Sequence, residues 1–275
     1  MASVKRRLIV NADDFGASES INAAVIDAHQ RGILTTASLM VNGAAADQAV
    51  QLANGNPKLG VGLHLALCCG TSALPHSHIP SLVNEDSKFR DSPVMAGMTY
   101  FFSTAARRQL ALEIAAQFEK FVETGLTLDH VNGHLHFHLH PRVFPILKRE
   151  LETRQVPAMR CTYDPLSVDW PLGQGRWFYR LSHAFIFKRL SKRTKAFLYG
   201  ARIRHTNYVF GLLENARVTE QYVLKLLPQV PPGDSELYSH PSLDEFKHEY
   251  EALISPRVIQ AIRSEEIQLI RYQDL

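Results

Sequence analysis

Short runs of apolar, β-branched residues alternate with helix-patterned segments along this chain of 275 residues, and most of these runs stop at a polar cluster. "RLIVNA" (7–12) reads as a buried strand, and "SESINAAVIDAHQRG" after it reads as a helix, with Ser18 as N-cap and Gly32 as the stop. "TASLMVNG" (36–43) and "LGVGLHLAL" (59–67) repeat the strand pattern, with the helical "AAADQAVQLANG" between them. A long irregular stretch (68–102) precedes "STAARRQLALEIAAQFEKFVETG", the clearest helix, which leads into the strand "LTLDHVNG". A helix at 142–154 then precedes the strand "PAMRCTY", and the last third adds strands at 206–213, 235–240 and 267–272 with helices at 219–228 and 255–264. A β-then-α rhythm of this kind specifies a parallel sheet with crossover helices. Seven or eight strands favour an α/β fold of (β/α) barrel-like form, a distorted TIM-type barrel. With no linker, low-complexity tract or internal repeat, one domain over 1–275 is the simplest organisation.

Such folds carry their chemistry in the loops at the carboxyl ends of the strands. Polar clusters fall there: "NADDFG" after the first strand, "GLHL" in the third, "NGHLHFHLHP" after the fourth, "RCTYD" after the fifth and "YSHPS" after the seventh. Composition narrows the classes. Hydrophobic residues make up 45% and charged residues 21%, ordinary for a globular core. A net charge of +3 is too mild to argue for nucleic acid. Three cysteines without CxxC spacing give no disulfide framework and fit a reducing compartment. The "LIV" following the basic N-terminus is too short for a signal-peptide core, and no run approaches the ~20 apolar residues of a membrane span, so the expectation is a cytoplasmic protein.

Asp13 and Asp14 are adjacent carboxylates at a strand end, where each needs a proton, a cation or a donor; capping of the next helix is the plainer alternative. His134, His136, His138 and His140 alternate. Extended, they would share one face; curled into a loop, they would fan apart, and one ion cannot use them all. His64 interrupts an apolar strand, either as a hydrogen-bonded core residue or as a ligand. Asp14, His64 and one histidine of 134–140 would make a facial set suited to zinc, iron or another divalent ion, with positions left for water and substrate. The rival set, vicinal Cys68 and Cys69 with a histidine, lacks a second cysteine pair. No GxSxG elbow, P-loop or GxGxxG occurs.

These motifs, in order, carry a resemblance. "LIVNADDFGASESINAAVIDAHQRGILTTASLMVNG", "GLHLAL", "HVNGHLHFHLHP" and "ELYSHPS" resemble the YdjC-like carbohydrate deacetylases, including the chitooligosaccharide deacetylases, over nearly the whole chain. The resemblance implies a barrel-like fold and metal-dependent removal of an N-acetyl group from an amino sugar. It implies Asp13 as general base and Asp14, His64 and His134 as ligands of one divalent cation, Mg2+ or Zn2+. Many relatives read "DSHHHVH" where this chain has "NGHLHFH"; the first histidine survives as His134. The region 207–241 is similar to a branch associated with hopanoid biosynthesis, which implies a glucosamine-bearing, lipid-linked substrate.

His240 in "YSHP" is the candidate acid for the leaving nitrogen, and Arg160 would fix Asp13 or bind substrate. Asn11, Asn132, His136 and His138 are candidates for substrate or supporting contacts. Between residues 170 and 213 there is no acid but nine Lys or Arg with interleaved aromatics, a helical insertion at about 170–205 suited to an anionic membrane surface, or else a solvated helix whose aromatics face the barrel. Soluble chitooligosaccharides are an alternative substrate. A metal-dependent phosphoesterase would need more carboxylates at strand ends, and a non-catalytic metal- or sugar-binding protein would not need Asp13 and His240. A homodimer is left open.

Overall fold

A computed structural model of the protein describes residues 5–173 and 175–275. Its strands are β1 (Arg6–Phe15), β2 (Thr36–Leu39), β3 (Gly60–Leu65), β4 (Leu128–Gly133), β5 (Tyr208–Phe210), β6 (Gly233–Ser239) and β7 (Gln268–Leu269). They form one parallel sheet in the order β4-β3-β2-β1-β6-β5, with β7 beside the start of β1. The sheet curls into a distorted barrel. Between β4 and β5, the segment expected as a strand at 157–163 makes only isolated bridges, Val131 to Met159 and Ala158 to Arg204. Val209 N–H donates to the Tyr163 carbonyl at 2.9 Å on the β5 side.

The strand pleat sorts side chains into two cores. On β1, Leu8, Val10 and Ala12 join the large apolar layer between sheet and helices. Ile9 turns inward, to an apolar plug with Ala158, Ile270 and Tyr272. Asn11 and Asp13 share that inner face, their side chains 2.8 Å apart. Going up β1, the barrel interior is therefore apolar, then polar, then ionised, a direct result of the period of two. Gly62 on β3 leaves the space the His130 ring fills; a Cβ there would lie 2.5 Å from that ring.

Helices cover the outside. Glu19–Arg31 starts at Ser18, whose hydroxyl accepts from Ile21 N–H, and stops at Gly32, as the pattern predicts. Thr104–Glu123, Phe144–Thr153, Glu220–Leu226 and Pro256–Ser264 also fall where expected. Two helices do not. Pro93–Phe102 lies in the stretch read as irregular, because its apolar residues run without amphipathic periodicity. Lys247–Ile254 buries Glu249, an acid that breaks the expected pattern. The basic region forms the helix Trp177–Gly200. Among the described residues no helix is long and apolar enough to cross a membrane.

Candidate active site

The end of β1 sets the geometry. Ala12 pairs with Ala37 and Phe15 with Leu39, so Asp13 and Asp14 together oppose Ser38 in a β-bulge. In a regular strand the two carboxylates would point to opposite faces. Asp14 instead has φ 63°, a left-handed conformation that Asp tolerates better than most residues, and its carboxylate swings to the barrel rim. There, one oxygen lies 2.9 Å from His134 Nδ1 and 3.2 Å from His64 Nε2.

Potential ligand atoms of Asp14, His64 and His134 all lie within 4.8 Å of one another, and this is the group found among the described residues that could hold an ion. The donor set fits a divalent cation. His64 Nδ1 lies 2.7 Å from Asn132 Oδ1, and the Asn132 amide nitrogen faces Asp13 and the Ser38 hydroxyl at 3.2 and 2.8 Å. The amide oxygen is thus fixed toward the ring, His64 must donate from Nδ1, and its buried Nε2 keeps a lone pair with no hydrogen-bond partner. Orienting a ligand imidazole through its far nitrogen is how metal sites set the tautomer.

Asp13 is buried below this group. Arg160 donates to both its oxygens, from Nη1 at 2.7 Å and Nη2 at 2.9 Å. Burial alone would raise the Asp13 pKa, but Arg160, with His64 nearby, holds the carboxyl well below its usual range. Arg160 is wholly buried and is held in turn by Glu236 at 2.6 and 2.9 Å, while Glu236 accepts from the Tyr272 hydroxyl. Asn11 supports Asp13 and is anchored by Thr36 at 2.8 Å.

The four alternating histidines fan apart. Leu135 and His136 adopt φ 50° and 58°, so the segment His134–Leu139 is a kinked turn instead of an extended strand. His134 reaches Asp14. His136 meets the Tyr238 hydroxyl at 3.0 Å and lines the cavity. His138 is buried against the Arg160 carbonyl, and burial followed by the Arg160 charge pulls it down to about 3. His140 stacks on Phe137 away from the site.

His240 rises from the end of β6. Its backbone N–H donates to Glu249 at 2.6 Å and its ring nitrogen lies 3.8 Å from the same carboxylate. Burial pulls this imidazole down, but Glu249, Asp14 and Asp13 more than offset it and raise the pKa to about 9. His136 moves the opposite way, well below its usual value through burial and the Arg160 charge. Their surroundings thus favour the charged imidazole at His240 and the neutral one at His136.

A cavity of about 250 Å³ joins these groups, with Asp13, His64, His136, Tyr238 and His240 on its polar side. Tyr179, His183 and Phe187, spaced one helical turn apart on Trp177–Gly200, line it as well. Some aromatics of the basic region thus face the barrel, and four of its nine cations hydrogen-bond to the rest of the fold: Arg180 pairs with Asp169 at 2.9 Å, Lys195 donates to Asn207 O at 2.7 Å, Arg176 to Asn215 O at 3.1 Å and Arg204 to Gln273 O at 2.9 Å. Glu236, Tyr272 and Glu249 escape sequence reading as site residues. For Glu236 the signal was available, since it stands four residues before His240 on the same inward-facing alternation.

The YdjC-like protein family matches residues 7–264. A carbohydrate deacetylase of Geobacillus stearothermophilus is 42% identical over 153 residues, covering 55% of this chain and 58% of that protein. A chitooligosaccharide deacetylase of Escherichia fergusonii is 37% identical over 145 residues, 52% of this chain and 55% of that one. The chain thus spans little more than half the length of these relatives. A carbohydrate deacetylase of Clostridium beijerinckii is 27% identical over 275 residues, 98% of this chain and 100% of that protein. A solved structure from Enterococcus faecalis V583, described as a candidate cellobiose-phosphate cleavage protein, is similar in fold. Its TM-score is 0.76 at 23% identity over 98% of both chains. With its match running from β1 to the end of the helix Pro256–Ser264, the chain belongs to the YdjC-like protein family.

Proposed function

We propose that this protein hydrolyses the acetamide of an N-acetylated amino sugar, releasing acetate and the free amine. The observation that carries the reading is the convergence of Asp14, His64 and His134 beside Asp13, gripped by Arg160, and His240, backed by Glu249. A divalent cation held by the three ligands would supply Lewis-acid polarisation of the acetyl carbonyl. Asp13 takes the proton of the attacking water as the new C–O bond forms. Asn11, Asn132 and Arg160 crowd one oxygen of that carboxylate, and the other faces Arg160 alone, which leaves it a lone pair for the proton. His240 gives its proton to the nitrogen as the C–N bond breaks, because an amide anion is too basic to leave. Glu249 keeps the imidazolium stable until then.

The finer reading is a lipid-linked substrate, a glucosamine-bearing hopanoid intermediate met at an anionic membrane. Its support is the resemblance of region 207–241 and the basic, aromatic helix that reaches the cavity. The test is incubation with N-acetylglucosaminyl hopanoid and with di-N-acetylchitobiose, following acetate with and without chelator. Release from the hopanoid that a chelator stops is the expected result. Release from chitobiose alone would leave the deacetylase and remove the lipid; release from neither would remove both.

A further inference from the structure

Two helices that reach the cavity rim expose apolar side chains to an unusual degree. Pro93–Phe102, "PVMAGMTYFF", has no charged residue, and Val94, Met98 and Phe102 are 72%, 51% and 73% exposed. Its first residue, Pro93, lines the cavity. On Trp177–Gly200, whose inner stripe lines the same cavity, Trp177, Phe178 and Phe185 are 64%, 72% and 58% exposed. The histidine turn connects the two: His136 packs edge-on against Phe187, while Arg142, just beyond the turn, lies over the Phe101 ring at 4.7 Å. Leu135, half exposed at the tip of that turn, also lines the cavity.

We infer that these helices form a collar that docks the cavity mouth on an anionic lipid bilayer. Soluble surfaces rarely leave so many large apolar groups clustered together, whereas a helix lying in a bilayer interface buries such a face and sets aromatics at the headgroups. Charge selects the occupant. Lys188, Arg189, Lys192 and Arg193 are exposed on the second helix, and no acid occurs between residues 170 and 213 or between 92 and 112. A second copy docked through the same face would set these cations against one another; anionic headgroups would neutralise them. The basic run is thus half of the surface, and the uncharged helix is the half that enters the acyl boundary. The inference rests on the deacetylase reading only in that a mouth held at the bilayer selects a sugar carried on a lipid.

The test is cosedimentation of the full chain with phosphatidylcholine vesicles and with mixed phosphatidylcholine–phosphatidylglycerol vesicles at low and high salt. Binding to the mixed vesicles at low salt is expected, weaker at high salt and on phosphatidylcholine alone. The pair Met98→Asp and Phe102→Asp should lower the affinity about tenfold or more, and so should Phe178→Asp on the other helix. All three side chains are exposed, and turnover of a soluble N-acetyl sugar should stay unchanged. Wild-type protein that ignores the mixed vesicles, or variants that bind like wild type, would overturn the inference. So would sedimentation of the wild type as a dimer that these substitutions dissociate, since a second copy would then cover the collar. Failure of the wild type to release acetate from any sugar would count against the deacetylase reading, and vesicle binding would still decide the collar.

Discussion

Asn132 holds His64 by a 2.7 Å contact between its amide oxygen and the ring Nδ1, and this one contact turns the opposite nitrogen, Nε2, toward Asp14. The amide cannot rotate without losing its contacts to Asp13 and Ser38. Asn132→Leu removes the acceptor while filling the space. Zinc affinity, read by competitive titration, should fall by about 10–100-fold, the usual loss when a ligand imidazole is no longer oriented. Unchanged affinity would mean that His64 is not a ligand.

His134 and His140 should separate cleanly. His134→Ala removes a group 2.9 Å from Asp14 and should abolish metal retention after dialysis. His140→Ala loses ring contacts with Phe137 and Tyr100, worth about 1 kcal/mol of stability, and should retain metal. Equal metal loss from both variants would contradict the geometry.

Glu236 balances Arg160 from below while Asp13 balances it from above, all three nearly or wholly buried. Breaking a buried ion pair from one side leaves an uncompensated charge, at a cost of about 3–5 kcal/mol. Glu236→Gln should therefore lower the free energy of urea unfolding toward that extent. Its acetate release should also fall, because Arg160 loses the brace that fixes Asp13. A variant as stable as the wild type would show that Tyr272 and Asp13 suffice.

Much of this site could be read before the fold, and the part that could not has a physical cause. Polar clusters at the ends of apolar runs mark Asn11, Asp13, Asn132, Arg160 and His240, because a strand end can be read without knowledge of partners. Asp14 is different: alternation sends it outward, and only the bulge with φ 63° returns it to the rim. The fate of the four histidines was equally hidden, since two left-handed residues at 135 and 136 decide between a strand and a fan. Glu249 comes from a helix more than a strand's length downstream, so its contact with His240 is set by tertiary packing alone. The helix Pro93–Phe102 escaped because it is apolar on more than one side and gives no amphipathic signal.

The pH profile tests His240. Its raised pKa, about 9, means that a reaction needing the imidazolium keeps its rate through neutrality and loses it as pH climbs past that value. Glu249 is the first of the groups that raise it. Glu249→Gln removes the negative charge, lowers the His240 pKa toward the ordinary ~6.5 and moves the alkaline limb to lower pH. An alkaline limb that stays in place would assign it to another group.

Asp13→Asn, assayed for bound metal and for acetate release on the same sample, separates metal binding from proton transfer. Asparagine keeps the shape of the site and leaves Asp14, His64 and His134 in place, but a neutral amide cannot accept the proton of water. Asp13→Asn should keep a full complement of metal while turnover of a soluble N-acetyl sugar falls by on the order of 10²–10⁴, whereas Asp14→Ala should lose the metal itself. Near-normal turnover by Asp13→Asn with its metal retained would mean that Asp13 is not the base.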